Sequence, residues 1–79
     1  MIKTFKLWLI DKYLKKDTPR GDLAYDINSD KKFPEVNDYE KLLAYISFRS
    51  MHNAAVINVF KRCWCSYKKE VLKNARIQN

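Results

Sequence analysis

Apolar side chains recur along this chain at steps of three and four, the period of a helix with one face against a core. Phe5, Trp8, Leu9 and Tyr13 share a face over about Thr4 to Leu14, with Thr4 placed to cap the start. Thr18-Pro19 opens a second helix: the threonine caps orphan N–H groups, and proline takes the first position, where a missing N–H costs nothing. Asp22 suits its first turn, Leu23, Ala24 and Ile27 form its apolar stripe, and it ends near Ser29 or Asp30. Pro34 pushes Phe33 out of the helical region, so Lys31-Lys32-Phe33-Pro34 reads as an extended break with Phe33 anchored in the core. Asn37 and Glu40 have the spacing of a capping box for a third helix running to about Arg49, with Leu42, Leu43, Tyr45 and Ile46 inward. Asn53 caps the longest helix, about Ala54 to Arg76, where Ile57, Phe60, Trp64, Tyr67 and Val71 line one face, widened by Val56, Val59 and Cys63. The expectation is an all-α fold of four helices ending in a long C-terminal one.

Composition supports an ordered core. Four Phe, five Tyr and two Trp among 79 residues give enough apolar surface to offset chain entropy, and one Gly with two Pro leaves little loop. A chain this short makes one domain at most and buries about 60–65% of its unfolded surface, so its large side chains are needed for folding. We therefore expect a single domain over residues 1–79, with a core over about 4–72 and a frayed tail at 77–79. Phe5, Trp8, Phe60, Trp64 and Tyr67 read as core, not as a base-stacking platform; Tyr13, Tyr25, Tyr39 and Phe48 are the better candidates for exposed aromatics, which commonly mark protein contacts. The apolar run Leu7 to Ile10 is too short for a signal peptide, and no stretch approaches the roughly 18 apolar residues of a membrane helix. The expected location is the cytoplasm.

Catalysis finds thin support. His52 has no cysteine or serine at a motif spacing and reads as a capping or surface residue. Cys63 and Cys65 point about 200° apart on a helix and cannot bridge, and with His52 remote they make no metal set. Asp22, Asp26 and Asp30 share a helical face, but without a glycine-turned loop and converging carbonyls they read as a solvated acidic surface. No phosphate loop, dinucleotide loop or zinc spacing is present. We expect no enzyme, no cofactor, no metal and no small-molecule substrate.

Charge gives the one functional signal. The net +7 is segregated: residues 1–20 carry +4, residues 21–40 carry −4, and residues 41–79 hold eight Lys/Arg against Glu70 alone. At about 100° per residue, Arg62, Lys69, Lys73 and Arg76 fall within about 60° of one another, away from the apolar face, and Glu70 lies outside that arc. Three readings stay open: a solvated face, an acidic partner protein, or sequence-independent binding of a phosphate backbone. The acidic face of the second helix offers such a stripe a head-to-tail contact.

The ordered residues also carry a resemblance. Phe5-x-x-Trp8-Leu9, then Asp17-Thr18-Pro19-Arg20-Gly21-Asp22-Leu23-Ala24-x-Asp26-Ile27-x-x-Asp30-x-x-Phe33-Pro34, then Tyr45-Ile46 and Phe60-x-x-x-Trp64-x-x-Tyr67, resemble the YozE-like family over about residues 4–68. That resemblance implies a compact helical bundle similar to the sterile alpha motif (SAM), and an origin in Gram-positive bacteria or their phages. It names no biochemical role. The last helix departs from the family's acidic character around the Phe and Trp positions, since Lys61, Arg62 and Lys68 stand there, so a partner of an acidic relative does not transfer. The combined expectation is an interaction module that binds a partner protein, in the manner of a phage or mobile-element accessory factor, with nucleic-acid binding through the last helix as the alternative.

Overall fold

The computed structural model describes residues 3–72. Four α-helices follow one another: α1 (Phe5–Tyr13), α2 (Pro19–Ser29), α3 (Tyr39–Arg49) and α4 (Ala54–Tyr67). A π-wound turn over Lys68–Leu72 continues α4; the end expected near Arg76 and the tail at 77–79 lie outside the described residues. No strand occurs among the described residues. The local signals act as expected at three of the four starts. Thr4 accepts from the Leu7 N–H, Thr18 from the Gly21 N–H with Pro19 in the first turn, and Asn53 from the Ala55 and Val56 N–H groups. The third start differs. Asp38, not Asn37, caps α3 by accepting from the Lys41 N–H. The Asn37 carboxamide oxygen instead accepts the Phe5 N–H at 3.1 Å, tying the segment before α3 to the first turn of α1.

α4 is the spine: α1, α2 and α3 all pack against it, and α1 also packs on α2. Phe5 lies at the centre of an aromatic cluster, with ring centroids 5.4–6.0 Å from Phe60, Trp64, Tyr67 and Trp8. All five are buried, and Leu9, Leu23, Ala24, Ile27, Leu42, Ile46 and Cys63 complete the core with them. Phe33 is buried as the anchor between α2 and α3, edge-on to the Tyr45 ring at 5.5 Å. The Tyr67 hydroxyl emerges from this packing to donate to the Lys3 carbonyl, closing α4 over the N-terminal segment. Of the expected exposed aromatics, Tyr25 and Phe48 are exposed, whereas Tyr39 stacks on Phe60 and Tyr13 lies edge-on to Trp8, both half-buried. Core demand explains the difference: in so small a bundle, neighbouring rings extend the cluster outward.

Gly21 is required by close packing, not by an unusual backbone angle. It is buried in the first turn of α2, where a Cβ would lie 1.9 Å from the Lys16 carbonyl oxygen. The chain leaving α1 crosses the start of α2 at this point, held by a hydrogen bond from the Lys16 N–H to the Tyr13 carbonyl of 2.9 Å. No helix among the described residues is long and apolar enough to cross a membrane.

Candidate functional site

The expected basic stripe is only partly described. Arg62 and Lys69 are exposed, as are their neighbours Lys61 and Lys68, while Lys73 and Arg76 lie outside the described residues. The register drawn at a constant α-helical period does not hold past Tyr67, because Lys68–Leu72 winds more widely as a π-helix. Glu70, within this turn, faces α1. The Trp8 indole N–H donates to one Glu70 carboxylate oxygen at 3.2 Å, and the Lys12 ammonium bonds the other. These bonds hold the Glu70 carboxyl below its usual range, the Lys12 bond first and the Trp8 bond second. Lys12 also sits over the Trp8 ring, 5.6 Å from its centroid. Glu70 is thus part of a clasp between the end of α4 and α1. Among the described residues Lys61, Arg62, Lys68 and Lys69 make no ion pair. Arg62 also lines a shallow depression of about 410 Å³ with Arg20, Tyr13 and Asn58.

The structure adds a second surface that periodicity did not single out. α2, the C-terminal half of α3 and the start of α4 enclose an open groove of about 440 Å³. Its floor is apolar: Leu23, Ile27, Phe33, Ile46 and Val56. Its mouth is polar, with Asp26, Asp30, Tyr45 and Arg49. Asp30 accepts from the Tyr45 hydroxyl at 2.6 Å and faces the Arg49 guanidinium at 3.4 Å. The Tyr45 bond, helped by the Lys32 N–H and by Arg49, keeps the Asp30 carboxyl below its ordinary range, and the same bond pushes the Tyr45 phenol up. Asp30 therefore leaves the row of solvated aspartates expected from its spacing. Asp22 and Asp26 remain exposed.

Beside the groove, the α3–α4 turn carries two consecutive non-glycine residues in the left-handed region, Met51 at φ 57° and His52 at φ 62°. The His52 N–H donates to the Ser47 carbonyl at 2.7 Å and the Met51 N–H to that of Phe48 at 3.2 Å, which hold the turn against that strain. Phe48, in the last turn of α3, is 73% exposed, and Met51, in the α3–α4 turn, is 87% exposed. His52 itself is exposed, as expected of a surface residue.

The cysteines are free, Cys65 exposed and Cys63 buried, and burial pushes the Cys63 thiol up to about 11, so it stays protonated and unreactive. Among the described residues no three His, Cys, Asp or Glu side chains are grouped to hold a metal.

Four helices around an aromatic core, closed by the last one, make a SAM-like bundle. The model of the family described as YozE SAM-like fold matches residues 4–69, and the chain belongs to that family. No curated protein and no solved structure matches the chain.

Proposed function

We propose that this domain is a non-catalytic interaction module whose ligand is another protein. The observation that carries the reading is the exposed apolar corner at the α3–α4 turn. Most other large apolar side chains help to build the core, yet Phe48 and Met51 stand in solvent next to an open, apolar-floored groove. Exposed apolar surface rimmed by polar groups is typical of protein contacts. The strained backbone of Met51 and His52 supports it, since such conformations persist where surrounding structure or function demands them. Free thiols fit work in a reducing cytoplasm, and membership of the family is in keeping with a role in Gram-positive bacteria or as a phage accessory factor.

The test is affinity capture from host lysate, with and without nuclease, using the native chain and a Phe48→Ser/Met51→Ser variant. A protein retained after nuclease and lost with the variant supports the reading. Capture that vanishes with nuclease, or that the variant retains in full, refutes it.

A second reading keeps nucleic acid as the ligand of α4. Its support is the cluster of Lys61, Arg62, Lys68 and Lys69, exposed and without ion pairs among the described residues. Four phosphate contacts from this cluster give a log–log salt slope of roughly −3.6, so raising salt from about 50 to 200 mM weakens binding about 100-fold. Fluorescence anisotropy with a labelled DNA duplex measures this directly. Negligible affinity at the lower salt eliminates the reading.

A further inference from the structure

We propose that the groove between α2, α3 and α4 takes a cationic amphipathic segment of the partner: a helix with apolar residues on one face and Lys or Arg beside them. The inference rests on the partner-protein reading and names the chemistry of the contact. The buried floor of Leu23, Ile27, Phe33 and Ile46 offers apolar side chains a surface with no polar demand. A volume of about 440 Å³ is within the range of ordinary ligand clefts and admits a few side chains of a helix, not a whole domain.

The charges at the mouth fix the sign of the occupant. Arg49 is the one cation among the described lining residues, and it is already committed to Asp30. Asp30 is held ionised by Tyr45 and Arg49, so it remains a carboxylate at neutral pH. Asp26 is exposed on the same wall and makes no side-chain hydrogen bond or ion pair among the described residues. The uncommitted charge at the mouth is therefore negative. An anionic segment would meet the unpaired Asp26 carboxylate, whereas a Lys or Arg next to an apolar anchor pairs with Asp26 as the anchor covers the floor. Phe48 and Met51, both exposed, flank the lining residues Arg49 and Ser50 in sequence.

The probe is a fluorescein-labelled 14-residue helical peptide with Leu at i, i+3, i+7 and Lys at the flanking positions. Two companions replace every Lys by Glu, or every Leu by Ser. Anisotropy at moderate salt should show binding of the Lys/Leu peptide only, weakened about three- to tenfold by Asp26→Lys. In an amide NMR spectrum its shifts should fall on Ile27, Ile46 and Val56. Asp26→Asn, which keeps the shape and removes the charge, should weaken binding in the same direction and guards against a folding artefact. Equal affinity for Asp26→Lys overturns the inference, as does equal binding of the Glu peptide or shifts confined to Arg62 and Lys69. Self-association of the native chain lost in Asp26→Lys would give the groove to a second copy and also overturn it. Protein binding as such stands or falls separately. A captured host protein lost with Phe48→Ser/Met51→Ser but kept by Asp26→Lys leaves the protein-binding function standing while this inference falls.

Discussion

Replacing Gly21 by Ala should destabilise the fold, although an alanine in a helix normally does the reverse. On propensity alone the change favours α2 by about 0.8–1.0 kcal/mol. Against that stands a Cβ placed 1.9 Å from the Lys16 carbonyl oxygen, 2.8 Å from the Lys16 carbonyl carbon and 3.0 Å from the Tyr13 carbonyl oxygen. Contacts under 3.0 Å are essentially never adopted by a Cβ, so the nearest oxygen must retreat by at least 1.1 Å, the difference between 3.0 and 1.9 Å. The obstructing atoms are backbone, and no rotamer change removes them. Overpacking of this kind costs about 1–3 kcal/mol and more where the backbone must shift, so a net loss of about 2 kcal/mol is the working figure. In a domain of this size that lowers the melting temperature by about 8–16 °C. Thermal unfolding followed by far-ultraviolet circular dichroism reads it, with Asn28→Ala, an exposed change in the same helix, as the control. A Gly21→Ala protein that melts at or above the native temperature would show that the crossing of α1 and α2 is looser than described.

Three further outcomes follow from the packing and charges. Trp64→Ala removes a buried ring that contacts Phe5, Tyr39, Phe60 and Tyr67, and should cost about 3–5 kcal/mol, enough to unfold most of the population at room temperature; an unchanged melting temperature would refute the core assignment. Asp30 and Glu70 both have lowered native pKa values, so their stabilising contributions are complete above their unfolded values near pH 4 and are lost as pH falls through the native ones. The melting-temperature gap between the native chain and Asp30→Asn should therefore be constant near neutrality and shrink below about pH 4; a gap that grows on acidification would contradict the geometry. A maleimide should label exposed Cys65 promptly and buried Cys63 only as fast as the fold opens, so two equal rates in mass spectrometry would place Cys63 at the surface.

What could be read from the sequence was what is local. Thr4, Thr18-Pro19 and Asn53 mark helix starts because a cap needs only its own next few residues. The apolar face of α4 was legible for the same reason, since three- and four-residue steps need no knowledge of the partner helices. Asn37 shows the limit. Its spacing to Glu40 satisfied a capping box, yet its carboxamide serves Phe5, 32 residues away, and Asp38 caps in its place. Asp30 was legible as one of three aspartates on a face, but not as the partner of Tyr45, a contact made only when α2 and α3 meet. The groove and the close approach at Gly21 belong to the same class of tertiary consequences. Within the candidate stripe, the outward placement of Arg62 followed from periodicity; the π-wound turn that carries the exposed Lys69 did not, because a constant angle per residue excludes it by assumption.

The two candidate surfaces lie at different ends of one rigid element, and that separation decides how their tests combine. Val56 lines the groove, and Arg62 lies six residues further along α4, about 9 Å at 1.5 Å per residue; Lys69 lies further still, past Tyr67. Among the described residues neither Arg62 nor Lys69 pairs with Asp26 or Asp30, so these two cations do not satisfy the groove of their own chain. Asp26 and Lys69 share no hydrogen-bond or ion-pair partner among the described residues, so charge reversals there should act independently on stability. Their effects on binding then carry separate information. Loss with Asp26 alone points to the groove, loss with Lys69 alone to the basic face of α4. Loss with either change, restored when an Asp26→Lys chain is mixed with a Lys69→Glu chain, would mean that copies of the domain meet groove to basic face in an open, head-to-tail contact.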